Sequence, residues 1–452
     1  MKIIIVGCGK VGVTLAEQLN HEGHDITLID QNSSALEQVI NSIDVLGVAG
    51  NGAVYDVQLD AGIEEADLLI ATTNSDELNM LCCLIAKKAG KNCHTIARIR
   101  NPEYSTEINF IREEMNLSLA INPELAAARE ISRLLKFPSA IKIDTFSKGR
   151  VEIMKFQIPE GSVLDDLKVW EVPSKLRCSV LICAVERGSD VMIPNGNFQL
   201  KSGDKVSFVA PSAESRRFFK AVGIVNNSVK SAILVGGGRI TYYLAQMLKD
   251  TPIKLKIVER DPEQCRKLSE ELPGVIVIQG DGSDQQLLLE EGLHETEAFA
   301  ALTGFDEENI MLSLYARSQS KAKLITKVNR TAFESVINDM NLGSVIYPKL
   351  ITADTILQYV RAMQNSMGSN VETLYKIVAD KAEALEFKVG ADSPMTGIPL
   401  EKLSLKPNLL VACINRNGKI ITPRGKDTIE AGDMVIIVTT TTGLKDLKDI
   451  LK

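Results

Sequence analysis

Ile3-Ile4-Ile5-Val6-Gly7-Cys8-Gly9-Lys10-Val11-Gly12 sets three glycines at G-x-G-x-x-G spacing directly after a run of branched apolar residues. That pattern is suited to holding a pyrophosphate. Gly7 permits a tight turn, Gly9 keeps side chains away from the phosphates, and Gly12 lets the following helix pack close to the strand. The helix N-terminus at Lys10 and Val11 offers free N–H groups to an anion. Asp30 closes the next apolar run, 23 positions after Gly7, where a carboxylate accepts hydrogen bonds from ribose hydroxyls. The same charge opposes a 2′-phosphate, so NADP is a poor fit. The simpler alternative for Asp30 is a solvated strand-end carboxylate.

Alternating strands and helices must position these residues. Val45 to Ala49 runs into Gly50-Asn51-Gly52, and Asp67 to Thr72 into Thr73-Asn74-Ser75-Asp76; a helical segment from Glu77 to Ala89 and a strand from Cys93 to Arg98 follow. The alternation predicts a parallel sheet with helices on both faces and a ligand at the C-terminal strand ends. Those ends carry Gly7, Asp30, Asn51, Thr73, Asn74 and Arg98. Arg98 is either a bidentate phosphate ligand or an exposed strand-end charge. Asp76 is most simply a helix N-cap.

The segment recurs about 229 positions later. Gly236-Gly237-Gly238-Arg239-Ile240 answers Gly7-Cys8-Gly9-Lys10-Val11, and Glu259 stands 23 positions after Gly236 as Asp30 does after Gly7. Asp281 answers Asn51, Thr303 answers Thr73, Asp306 answers Asp76 and Lys327 answers Arg98. Matches at so many fixed offsets are a duplication. Thr241 replaces the third glycine and Gly304 replaces Asn74. A β-branched residue at a close-packing position pushes the helix outward, so the two sites should differ in affinity or preferred nucleotide. Arg239, like Lys10, can contact phosphate directly.

The intervening material is duplicated too. Leu176 to Val209 carries R-x-G, Pro-x-Gly and Gly-Asp turns between short strands; Leu409 to Val438 repeats them, and a terminal helix from Leu444 to Leu451 closes the chain. The expected fold class is α/β: two Rossmann-like parallel-sheet domains, each followed by a small β-rich module. The units are 1–137, 138–226, 227–366 and 367–452, each Rossmann unit ending in a crossover helix. Pro123 to Leu135 and Leu350 to Met363 form these helices, with apolar stripes that bury either on their own domain, the simpler reading, or on the paired Rossmann unit as an exchanged arm.

A formal charge of −7 gives no general attraction to phosphate backbones, which argues against nucleic acid as a partner. Eight cysteines without C-x-x-C pairs or zinc spacing read as free buried thiols in a reducing compartment, Cys82 and Cys83 among them as core residues. His21 and His24 are spaced i, i+3, but surface loop histidines are commoner than a metal pair, and no metal is expected. No stretch approaches the ~18 apolar residues of a membrane span, so the expected location is cytoplasmic.

The order of these four modules resembles the tandem RCK (regulator of potassium conductance, or KTN) family of Trk potassium-uptake regulatory subunits. The resemblance spans both glycine motifs, both acidic positions, both Gly-x-Gly turns, the Ala71-Thr72-Thr73-Asn74-Ser75-Asp76 strand end and both small modules. It implies a non-catalytic cytosolic protein, peripheral on the inner face of the cell membrane, that binds NAD(H) or ATP/ADP and gates a membrane potassium-translocating Trk subunit as a homotetrameric ring. By motif position, Gly7 to Val11 would hold phosphates, Asp30 the adenosine ribose, Thr73 and Asn74 the far side of the ligand, and Arg98 a phosphate or neighbouring carboxylate. Competing classes are an NAD-dependent oxidoreductase and a nucleotide-binding scaffold. Hydride transfer needs an acid or base beside the nicotinamide, and no His, Lys or Tyr recurs at a suitable place in both halves.

Overall fold

In the computed structural model the described residues are 1–90, 92–146, 151–188, 190–224, 228–330, 336–337, 340–365, 371–378, 381–441, 444 and 446–452. The first run of branched apolar residues forms the strand Lys2–Val6 at the centre of a six-stranded parallel sheet. Across that sheet the strands run Leu46–Ala49, Asp25–Asp30, Lys2–Val6, Leu68–Ala71, His94–Arg98 and Leu119–Ile121. The second half repeats this order with Ile276–Gln279, Lys254–Glu259, Ser231–Val235, Ala298–Ala301, Lys323–Lys327 and Ser344–Ile346. Strands buried on both faces read as continuous apolar runs, as Ile3, Ile4, Ile5 and Val6 do. In both halves the order reverses beside the strand that feeds the glycine turn, which puts the turn at the crevice of a doubly wound sheet.

The small modules are antiparallel five-stranded sheets of like topology. One orders Asp190–Met192, Leu181–Arg187, Lys205–Ala210, Val151–Gln157 and Lys142–Phe146; the other orders Lys419–Ile421, Leu409–Arg416, Met434–Thr439, Ala382–Lys388 and Val371–Val378. The R-x-G and Gly-Asp turns meet in each. Arg187 grips Asp204 through two 2.8 Å bonds, and Arg416 grips Asp433 at 2.9 and 2.8 Å. One face of each sheet joins a shared core that includes Val151, Ile153, Cys183, Ala384, Cys413 and Val438. The first module closes with the helix Ser212–Ala221, but the expected helix from Leu444 to Leu451 is only a 3₁₀ turn over Leu447–Ile450, with residues 442–443 and 445 outside the described set. Asp446 and Asp449 cap that turn reciprocally, which satisfies its backbone without a longer helix.

The crossover helices, Pro123–Lys136 and Pro348–Asn365, overturn the simpler expectation of packing on their own domains. Ala127, Ala128, Ile131, Leu134 and Leu135 share a core with Ile240, Tyr243, Leu244 and Leu248 of the second glycine helix, Arg239–Leu248. Ala353, Ile356, Leu357 and Val360 share one with Val11, Leu15 and Leu19 of the first glycine helix, Lys10–His21. Each arm is exchanged onto the opposite half. Polar contacts fix the exchange: Arg361 pairs with Glu22, Tyr359 Oη lies 2.8 Å from His94 Nδ1, and Ser344 Oγ donates to the Ile141 carbonyl at 2.7 Å.

Candidate functional site

Gly7 adopts φ +105°, and a Cβ there would stand 3.1 Å from Thr73 N, so the first turn needs glycine on conformation and space alike. A Cβ on Gly9 would meet no atom within 4 Å. Packing therefore does not require glycine at that position, and the backbone there is left open to close approach. A Cβ on Gly12 would lie 1.9 Å from the Gly7 carbonyl oxygen, which is the strand-to-helix packing expected of the third glycine. Gly9 is the N-cap of the first glycine helix and makes no side-chain capping bond, leaving the N-terminus open to an anion.

Asp30 is half-buried at its strand end and braces the turn: Cys8 N donates to Oδ2 at 2.6 Å and Asn32 N to Oδ1 at 2.8 Å. Each oxygen retains a lone pair for a ribose hydroxyl. Glu259 repeats the arrangement with Gly237 N at 2.6 Å and Asp261 N at 2.8 Å, so neither acid is merely a solvated charge. Burial, reinforced by Asp30, pushes the Cys8 thiol up to about 11, which makes it an inert packing group. Lys10 and Arg239 are exposed at the helix starts, while Val11 and Ile240 point into the core.

Asn51 accepts Ala53 N at 3.0 Å, and the exposed Asp281 accepts Ser283 N at 2.8 Å; both organise their turns. On the far side, Thr73 N and Oγ1 both donate to Asn79 Oδ1 at 2.7 Å, and Asn79 Nδ2 donates to the Arg98 carbonyl at 2.8 Å. Thr303, Asn309 and Lys327 repeat the clip. Asn79 and Asn309, both fully buried, are the site residues that motif reading passed over. Their signal was Asp-Glu-x-Asn at Asp76 and Asp306, a polar residue repeated on a core-facing helix position.

Arg98 is not an exposed strand-end charge. It is 9% exposed, its Nη2 donates to the Thr73 carbonyl, and its Nε is buried without a partner among the described residues. Burial, with Arg100 nearby, lowers it to about 10. Lys327 Nζ donates to the Thr303 carbonyl at 2.7 Å, and burial lowers it too. Asp76 and Asp306 are not N-caps; the caps are Ser75 and Phe305. Each aspartate instead receives two backbone N–H groups from the loop after the next strand, Arg100 and Asn101 at 2.7 and 2.8 Å, Asn329 and Arg330 both at 2.9 Å. A carboxylate in the first helical turn gains from the helix dipole while holding that loop. Asn74 is exposed, its carbonyl bonded by Arg100 Nη2.

The second turn is occupied by its own side chains. Thr241 Oγ1 donates to the Gly236 carbonyl, and Gln264 Nε2 donates to the Gly237 carbonyl at 2.6 Å. A Cβ on Gly237 would meet Leu268 at 2.6 Å, whereas one on Gly238 meets nothing within 4 Å. The approach over Gly238 stays as clear as over Gly9. Elsewhere, His24 is buried and its Nδ1 lies 3.4 Å from the terminal amine of Met1, not on a surface loop. Among the described residues no group of His, Cys, Asp and Glu could hold a metal, and no helix is long and apolar enough to cross a membrane.

Two family models match the chain, the TrkA-N domain at residues 3–123 and 232–348 and the TrkA-C domain at 153–223 and 384–452. The chain is 31% identical over 453 residues to the Trk system potassium uptake protein TrkA homolog of Archaeoglobus fulgidus, covering all of both chains. It is 31% identical to Trk system potassium uptake protein TrkA of Vibrio alginolyticus, covering 97% of this chain and 95% of that one. Among solved structures, the GsuK RCK domain superposes with a TM-score of 0.64 at 16% identity, covering 97% of this chain and 92% of that one. The GsuK channel bound to NAD gives 0.64 at 16% identity, covering 97% and 77%. At that identity the likeness is one of fold.

Proposed function

This chain belongs to the TrkA family of paired TrkA-N and TrkA-C domains, and on that premise we propose that it is the nucleotide-sensing regulatory subunit of a potassium-uptake system. Its ligands are NAD(H) and ATP or ADP, held over Gly7 to Val11 with the ribose on Asp30 and over Gly236 to Ile240 with the ribose on Glu259. The protein acts by binding, without turning its ligand over. It sits on the cytoplasmic face of the membrane through a potassium-translocating subunit and assembles as a homotetrameric ring.

The observation that carries this reading is the exchange of the crossover helices. Each lies along the glycine helix of the other half, so a ligand that draws one glycine helix toward its phosphates displaces the arm leading out of the opposite half. A ligand biases such a pair only by binding one arrangement better than the other. The test is potassium flux into liposomes holding the membrane subunit together with this chain. Nucleotide should change the flux, and Gly9→Asp should blunt the response. A flux indifferent to every nucleotide, in a complex shown to form, would refute the regulatory role.

A further inference from the structure

The crossover helices open with Pro123-Glu124-Leu125 and Pro348-Lys349-Leu350, and so carry opposite charges at matching positions. Each runs alongside the opposite glycine helix and in the same direction. Val11, Leu15 and Leu19 pack with Ala353, Ile356, Leu357 and Val360, and Arg361 pairs with Glu22 at the far ends. The near ends therefore bring Lys349 beside Lys10. Lys349 is half-buried, and its Nζ donates to the Asn329 carbonyl. Burial and then the Lys10 charge lower its ammonium to about 8, with Arg330 adding to the effect and Asp306 opposing it. Neither lysine has an ion-pair partner among the described residues.

At the other junction the first crossover helix brings Glu124 beside the second turn. Glu124 and Arg239 both bear on Arg98 and on Tyr243, and Glu124 also bears on Lys327. Glu124 Oε2 is buried without a hydrogen-bond partner among the described residues. The start of the first glycine helix thus has two lysines on the same side, an arrangement that an anion between them relieves. The second turn instead has a carboxylate on the arm beside its helix start, where Asn122 Nδ2 donates to Tyr243 Oη at 2.9 Å, and that carboxylate repels added phosphate charge.

We propose that Lys349 is a specificity-determining phosphate contact supplied across the interface to the first site, so that this site selects a nucleoside di- or triphosphate. Glu124 in turn restricts the second site to a ligand of lower phosphate charge, a pyrophosphate diester such as a dinucleotide. The assignment rests on the nucleotide reading above and adds which ligand goes where.

The experiment is calorimetric titration of the full chain with ATP and with NAD⁺, using Gly238→Asp to leave only the first site and Gly9→Asp to leave only the second. Lys349→Gln should weaken ATP at the first site by about tenfold or more and NAD⁺ by less than about threefold, as expected for loss of one charge-assisted phosphate contact. Lys349→Arg should keep ATP binding close to the unsubstituted value, which separates lost charge from lost folding. Glu124→Gln should tighten ATP at the second site several-fold. If Lys349→Gln leaves the first-site ATP affinity unchanged while ATP still binds, the assignment falls and the nucleotide reading stands. If the unsubstituted chain binds neither ligand, both fall.

Discussion

In the first glycine turn a side chain at position 12 would lie 1.9 Å from the Gly7 carbonyl oxygen; in the second, Thr241 occupies that position and bonds to the Gly236 carbonyl. The same Cβ cannot fit both backbones, so the two helix starts are set differently against their turns. Glu259 at the strand end and Gln264 on the following helix then hold the turn, where among the described residues the first has Asp30 alone. A tight first turn and a braced second one show how duplicated sequence diverges. The polar clips of Asn79 and Asn309 are kept, while the residues at the glycine-helix starts are changed.

The largest contrast should come from a carboxylate placed on either open glycine. Gly9→Asp should weaken nucleotide binding at the first site on the order of 100-fold or more through anion repulsion, and leave the second site intact. Gly238→Asp should do the converse. Because nothing lies within 4 Å of either Cβ, thermal midpoints should hardly move. Loss of both affinities from one substitution would dissolve the comparison into a single composite site.

Swapping the third position tests the turn geometry. Gly12→Thr should destabilise by about 1–3 kcal/mol from overpacking, read by urea unfolding, and lower first-site affinity. Thr241→Gly should lose a smaller amount, because it removes one hydrogen bond and a small buried side chain. Equal costs in both directions would mean the two turns are interchangeable.

The interface has its own asymmetry. Tyr243 Oη donates to the Arg100 carbonyl at 2.8 Å and lies 2.8 Å from Ser105 Oγ and 2.9 Å from Asn122 Nδ2, latching the second glycine helix to the far loop of the first site. Its counterpart, Thr14, only bonds the Lys10 carbonyl of its own helix at 2.9 Å. Tyr243→Phe should cost about 1–2 kcal/mol in urea unfolding, and Thr14→Val under about 0.5. Comparable costs would show that the latch carries no weight.

The smallest effect is on pH. Burial, and then the Lys10 charge, lowers the Lys349 ammonium to about 8, with Arg330 adding to the effect and Asp306 opposing it. Only the ammonium form attracts phosphate, so ATP affinity at the first site should hold near neutrality and fall several-fold as pH rises past about 8, by no more than about tenfold per unit. The second site should stay flat over that range. Parallel profiles would contradict the difference in charge.

Much of this was legible in residue order. Gly7, Gly9 and Gly12, the acids Asp30 and Glu259, and the four-module repeat follow from local spacing that one strand and one turn enforce. The exchange of crossover helices was not, because an apolar stripe such as Ala128, Ile131 and Leu135 states that it is buried and not on what. The roles of Asp76 and Asp306 were hidden for a related reason: their N–H donors lie beyond the following strand, outside any local motif. Glu124 and Lys349 acquire meaning only once each is brought beside the other half's glycine turn.

The central claim is that one chain carries two nucleotide sites of unlike character. The direct measurement is isothermal titration of the full chain with ATP, ADP, NAD⁺, NADH and NADP, repeated on Gly9→Asp and Gly238→Asp. The account predicts saturable binding at two sites with unequal affinities, each removed by its own substitution, and rejection of NADP. Two indistinguishable sites, or no saturable binding to any of the five, would contradict it.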